Sequence, residues 1–320
     1  MSVVVTGASG QYGRLAARRL LARIPAAELI LTTRTPGDLA EFAQRGVDVR
    51  RADFDEPETL RTAFAGAERL LLISTTSVGR RVRQHSHAVD AAKAAGVRHV
   101  VYTSFVGTDS SSAALVLVDH RGTEDALRRS GLAWTFLRDS QYADAIADVI
   151  APTALATGRW RAAAGDGLIA PVAREDCVDC AVAVLTGSGH ENTAYDITGP
   201  QLLSYRQAAE LVAEVAGRPV DYEVISDGEL YEVFDALGVP RCADEASGAQ
   251  IPWSSDDMVS FERAIRDGEL AVRSEHVREL LGRPPRSLRD LLAGRDYSAG
   301  ARRSTSSEHG PAGGAEGCSP

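Results

Sequence analysis

The chain has 320 residues, of which 44% are hydrophobic and 25% charged, with a net charge of −9 and a pI near 5.4. That length fits one large domain, or a domain with a smaller lobe, and the acidic balance argues against a broad basic surface for nucleic acid. No apolar run approaches the roughly 18 residues of a membrane span, the opening "MSVVVTGASG" has no basic leader, and four cysteines in so long a chain do not make a disulfide framework; the expectation is a cytoplasmic protein with no metal site.

Residues 2–6 form a β-branched apolar run, which predicts a buried strand. Helical leucine spacing follows over 11–23, a second strand over 28–33 ("ELILTT"), a helix over 39–45 and a third strand over 47–50. Pro57 opens a helix reaching about residue 64, because proline suits a first helical turn. A fourth strand covers 69–74 ("RLLLIS"), a helix 83–95 ended by Gly96, a fifth strand 99–103 ("HVVYT"), a helix 119–129 and a sixth strand 133–137 ("AWTFL"). Strict strand–helix alternation with apolar strands predicts an α/β fold of Rossmann type, a doubly wound parallel sheet. The rhythm loosens after Tyr142. Helices are expected at 175–185, 205–216, 229–237 and 256–266, and strands at 193–198 and 220–225. The expected division is a nucleotide-binding core over 1–145, a smaller C-terminal substrate lobe over 146–298 interleaved with it, and a disordered tail over 299–320, rich in Gly, Ser, Ala and Pro.

"VTGASGQYG" sets Gly7, Gly10 and Gly13 between the first strand and first helix. In that context the glycines allow a tight turn, close approach of backbone to a pyrophosphate, and close helix–strand packing. A helix N-terminus there favours an anion. The second strand ends at Thr32, Thr33 and Arg34. A dinucleotide site for NAD usually carries an acidic residue at that point, whereas a cation suits the 2′-phosphate of NADP. Arg34 therefore predicts NADPH, with NADH possible, and Thr33 can add a hydroxyl.

The segments "TGASGQYG", "TTRTP", "ADFDEPETL", "LLLIST", "RRVRQHSHAVDAAKAAGVRHVVYTS" and "SGLAWTFLR" follow one another in register. In these the chain resembles the NmrA-like branch of the atypical short-chain dehydrogenases, and bacterial type-2 NAD(P)H:quinone oxidoreductases most of all. The resemblance implies that Gly7, Ala8, Ser9, Gly10, Gln11 and Tyr12 form the pyrophosphate loop and that Arg34 meets the 2′-phosphate. It implies adenine contacts from Asp53 and Phe54. Ser74 and Thr75 would lie beside the ribose and nicotinamide, and Tyr102, Thr103 and Ser104 by the nicotinamide ring.

The common short-chain reductases use a Tyr-x-x-x-Lys pair as proton donor. The chain has one lysine, Lys93, and Val89 stands four residues before it, so no such pair exists. His120, in "VDHRGTE", is the best local substitute, since His can donate near neutral pH. It shares a helix face with Glu124, and the plain alternative is a surface pair. Tyr102 is a second candidate, or a core residue. Tyr142, after the sixth strand, is expected in a substrate pocket. Reduction of a quinone yields a far weaker base than an isolated alkoxide, so a site without a strong acid suits a quinone or conjugated carbonyl. Two alternatives stay open. One is a tailoring ketoreductase for an aromatic polyketide. The other is a non-catalytic, NADP(H)-sensing regulator acting through a protein partner.

Three other motifs read as scaffold. Cys177 and Cys180 form a lone C-x-x-C on a helix and are expected in the core. His85 and His87 are two apart on a helix and share no face. "RRVR" (80–83) reads as a solvated helix start, with steering of an anionic cofactor as the alternative.

Overall fold

The computed structural model describes residues 1–242 and 254–297; the expected tail over 299–320 lies outside the described residues. In chain order the first half runs β1 (Val3–Val5), α1 (Gln11–Leu20), β2 (Leu29–Thr33), α2 (Ala40–Ala43), β3 (Asp48–Arg51), α3 (Pro57–Ala63), β4 (Arg69–Leu72), α4 (Arg81–Ala95), β5 (His99–Phe105), α5 (Leu115–Ser130) and β6 (Ala133–Asp139). The second half runs α6 (Ala143–Ala145), a π turn (Ile146–Ile150), α7 (Ala151–Thr157), β7 (Arg159–Ala162), β8 (Leu168–Ile169), α8 (Arg174–Thr186), β9 (Thr193–Ile197), β10 (Leu203–Ser204), α9 (Tyr205–Ala216), β11 (Asp221–Val224), α10 (Asp227–Ala236), α11 (Ser255–Arg266), α12 (His276–Leu281) and α13 (Leu288–Ala293).

Seven strands form one sheet in the order β3-β2-β1-β4-β5-β6-β9, and every pairing in it is parallel. Helices cover both faces. Val5, Leu71 and Val101 pack with α1 and α8 on one side. Val4, Leu70, Leu72, Val100 and Tyr102 pack with α3 and α4 on the other. This is why three successive leucines of β4 are all fully buried: alternate side chains meet opposite helical layers. Glycines in the left-handed region end α4 (Gly96, φ 79°) and α5 (Gly131, φ 79°), as C-caps require. The chain reverses direction across the sheet between β1 and β4, and the crevice outside the carboxyl ends there is where such sheets bind ligands.

The second half does not separate cleanly. Strand β9 extends the central sheet beside β6 and α8 packs on its α1 face. Helix α12 joins the α1–α8 cluster through Val277, α10 packs through Leu230 on Ile225 and Val259, and the elements around Trp160, Tyr205 and Phe261 build a second large apolar cluster, joined by Leu117 of α5. Two small ladders, β7 with β11 and β8 with β10, brace it. No helix among the described residues is long and apolar enough to cross a membrane.

Candidate functional site

The loop leaving β1 is shaped by its glycines. Gly7 has φ +57°, a conformation that side chains strain to adopt. A Cβ on Gly13 would lie 2.5 Å from the Gly7 carbonyl oxygen and 2.6 Å from Ala8 Cα, so only glycine lets α1 come this close to the loop. The backbone folds on itself through Gly10 N–H to Gly7 O (3.1 Å), while Ala8 N–H reaches Thr32 O (3.0 Å). Gly7, Gly10 and Gln11 are exposed. The first turn of α1 carries no side-chain cap and no acidic residue. Its N–H groups and dipole are therefore open to an anion, and the cradle fits a dinucleotide pyrophosphate.

The rest of the carboxyl edge follows. Ser9 and Thr33 hydroxyls meet at 2.9 Å, tying the glycine loop to the end of β2. Arg14 fastens the same region, donating to Ser9 O (2.9 Å), Glu41 Oε1 (2.8 Å) and Asp38 O (2.6 Å). Arg34 is exposed, and no carboxylate of the described residues pairs with it. Its charge is thus available at the site where the second strand ends. Asp53 accepts from the Asp55 N–H (3.0 Å), and the half-buried Phe54 ring stands edge-on to His85 at 6.0 Å. Ile73 N–H donates to Thr6 Oγ1 (3.0 Å), which brings the loop after β4 against the glycine loop. Ser74 N–H donates to Thr103 Oγ1 (2.8 Å), linking the ends of β4 and β5.

At the donor position both candidate side chains are buried. Tyr102 is fully buried, in the layer under α4 with Phe136. Its hydroxyl meets His120 Nδ1 at 2.7 Å, and burial pushes its pKa well up. His120 is 3% exposed. Burial first, then Arg81 and His85, hold its pKa well below the usual histidine range. The structure thus brings the two candidates together but turns both inward, which revises the picture of either as a donor facing the crevice. The physical reason is register: Val100, Tyr102 and Ser104 share the sheet face that α5 covers, and Ser104 Oγ accordingly donates to Glu124 Oε1 (2.7 Å) rather than opening toward a cofactor.

Glu124 is no surface partner of His120. It is fully buried and receives a fork from Arg138, whose Nε and Nη2 both lie 3.0 Å from its oxygens, plus Arg128 Nη2 at 2.8 Å. Arg81 is a second correction. It is 5% exposed, not a solvated helix start, and its Nε donates to Thr75 O (2.8 Å). Cys177 and Cys180 are buried in the core cluster with α1. Lys93 is exposed near the end of α4.

Asp139 had no signal in the sequence. It closes β6, is 1% exposed, and accepts from Tyr142 Oη (3.1 Å); its other oxygen is buried with no hydrogen-bond partner among the described residues. Burial raises its pKa to about 7, against the lowering effect of Tyr142 and Cys177. Tyr142 is half-buried, with Arg174 stacked 5.1 Å from its ring and Tyr12 at 6.5 Å. Among the described residues, no group of three or more His, Cys, Asp or Glu side chains is arranged to hold a metal ion.

Residues 7–188 match the NAD(P)H-binding family. The chain is 34% identical over 268 residues to Quinone oxidoreductase 2 of Escherichia coli strain K12, covering 82% of this chain and 93% of that one. The crystal structure of an NADPH-dependent quinone oxidoreductase from Escherichia coli, complexed with NADPH, superposes with a TM-score of 0.82 at 32% identity, covering 91% of this chain and 99% of that one. Triphenylmethane reductase of Citrobacter sp., complexed with NADP(H), gives 0.80 at 30% identity, covering 92% and 99%. The chain belongs to the NAD(P)H-binding family and is an NAD(P)H-dependent oxidoreductase.

Proposed function

We propose that the chain reduces a quinone or a related conjugated carbonyl at the expense of NADPH, with no side chain serving as a strong acid. The observation that carries this is the contrast within one crevice. The glycine loop has the shape to take a dinucleotide, while the two donor candidates, His120 and Tyr102, are bonded to each other and buried. The nicotinamide, when bound, supplies the hydride. The protein's part is to bind, orient and exclude water: Gly7 through Tyr12 would hold the pyrophosphate, Arg34 the 2′-phosphate, and Ser74, Thr75 and Thr103 the nicotinamide half. The described part of the C-terminal lobe would cover the acceptor, with Tyr142 lining its pocket. A conjugated acceptor takes its charge on a weakly basic oxygen, so a proton from water suffices. The name of the Escherichia coli relative, a quinone oxidoreductase, supports the same acceptor class.

A second reading draws on the inward turn of His120 and Tyr102: a sensor that binds NADP(H) without turnover and signals to a protein partner. Purified protein given NADPH and a panel of quinones, azo compounds and aromatic ketones separates them. NADPH oxidation with quinones supports the enzyme. Tight binding of NADPH in a calorimetric titration, with no turnover on any panel member, supports the sensor.

A further inference from the structure

Three side chains on one face of α4 close on a single residue of the loop after β4. Arg81, Gln84 and His85 stand at positions i, i+3 and i+4, which share a helix face. Arg81 Nε donates to the Thr75 carbonyl (2.8 Å). The Thr75 hydroxyl donates to Gln84 Oε1 (2.9 Å). The Thr75 N–H donates to His85 Nε2 (3.2 Å). Every polar group of Thr75 is thereby engaged by this helix. The three clamping side chains are 5%, 6% and 0% exposed.

The clamp is backed from behind. With Nε2 accepting, the His85 proton sits on Nδ1 and donates to Thr123 Oγ1 (3.0 Å). Thr123 in turn donates to the Asp119 carbonyl (3.0 Å). The Asp119 carboxylate accepts from the Gly79 N–H (2.6 Å), so the far end of the same loop is held as well. Gln84 Nε2 donates to Asp55 Oδ2 (3.0 Å), beyond β3. The groups facing His85 are the Phe54 ring from the loop after β3, Arg81 from α4, Tyr102 from β5, and Thr123 and His120 from α5. Burial first and Arg81 second keep His85 neutral, and only the neutral ring leaves Nε2 bare.

We propose that Arg81, Gln84 and His85 are positioning residues that preset Thr75 for the nicotinamide half of the dinucleotide, with the His85 Nε2 acceptor as the deciding contact. This rests on the assignment of the loop after β4 to that half. A loop fixed before its ligand arrives loses less freedom on binding, which strengthens binding without adding a contact. It also explains why charged and polar side chains are buried at the start of α4, where solvation would otherwise be cheaper.

The test is NADPH affinity, by fluorescence titration, for His85→Leu and His85→Gln, with the hydrogen-exchange rate of the Thr75 amide beside it. Leu removes the acceptor; the Gln carbonyl reaches the position of Nε2. His85→Leu is expected to weaken NADPH binding about tenfold and to speed Thr75 exchange, with His85→Gln restoring both. Wild-type affinity in His85→Leu, or equal loss in both variants, would overturn the proposal, since a packing role would not distinguish Gln from Leu. If His85→Leu does not fold, Gln84→Leu carries the test, and unchanged affinity there overturns it. Because the readout is binding, a wild type that binds NADPH and shows this pattern but reduces no quinone refutes the acceptor assignment and supports the clamp.

Discussion

Replacing Asp139 with Asn should change the pH dependence of stability. The carboxyl is buried at the end of β6, with one oxygen accepting from Tyr142 and the other without a partner among the described residues. Its pKa rises from the ordinary 3.8 to about 7, chiefly by burial. Between those values the folded protein binds more protons at this site than the unfolded chain. Stability from this group is therefore lost as pH rises through that window. At about 1.4 kcal/mol per pKa unit, the ionised form costs about 4 kcal/mol in the folded state. From about pH 5 to about pH 8.5 the group should withdraw about 3 kcal/mol of stability. Asn is isosteric, cannot ionise, and still offers an oxygen to Tyr142. Thermal unfolding of Asp139→Asn and wild type across that range tests the reasoning. The melting temperature of the variant should gain about 5–10 °C on wild type between the two ends. A constant offset at every pH would refute it, because it would mean that Asp139 does not titrate in this window.

Other outcomes follow from the same geometry. Arg34→Glu should raise the Kd for NADPH at least about tenfold and leave that for NADH nearly unchanged, since a charge-assisted phosphate contact is lost and only NADPH makes it; equal affinity of wild type and variant for NADPH would remove Arg34 from the site. Gly13→Ala places a Cβ 2.5 Å from Gly7 O. The loop must then shift, so calorimetry should find NADPH binding reduced by an order of magnitude or more, and an unchanged Kd would argue against the cradle. His120→Ala should leave quinone turnover within about threefold while lowering stability by about 1–3 kcal/mol, because Tyr102 loses a buried partner. A fall of about a hundredfold in kcat with stability unchanged would instead make His120 the proton donor.

The sheet and its nucleotide crevice were legible because their signals are local. Apolar runs bounded by glycines fix the strands, and three glycines between a strand and a helix need no tertiary information to read. Arg34 and the lysine count were equally direct. The elements after Tyr142 were harder: β7, β8 and β10 span four residues or fewer and take their partners from distant segments, as β7 does from β11, so no periodicity announces them. The donor site misled for a related reason. Spacing placed His120 and Glu124 on one face correctly, but not that this face is buried, since Arg138 arrives from β6 to neutralise Glu124. Arg81 looked like a solvated cation because only the fold reveals the Thr75 carbonyl beside it. Asp139 carried no signal, since nothing in "LRDSQY" shows that the chain buries that carboxyl against Tyr142 and Cys177.

Direct reduction of a conjugated acceptor by NADPH bound in this crevice can be followed by single-turnover kinetics. Enzyme preloaded with NADPH is mixed with a simple quinone, and nucleotide and product are followed together. One hydroquinone should form per NADPH consumed, with the decay slowed by deuterium at one of the two C4 positions of the nicotinamide and not at the other. Tightly bound NADPH that is not consumed by any quinone, or consumption insensitive to deuterium at either position, would contradict it.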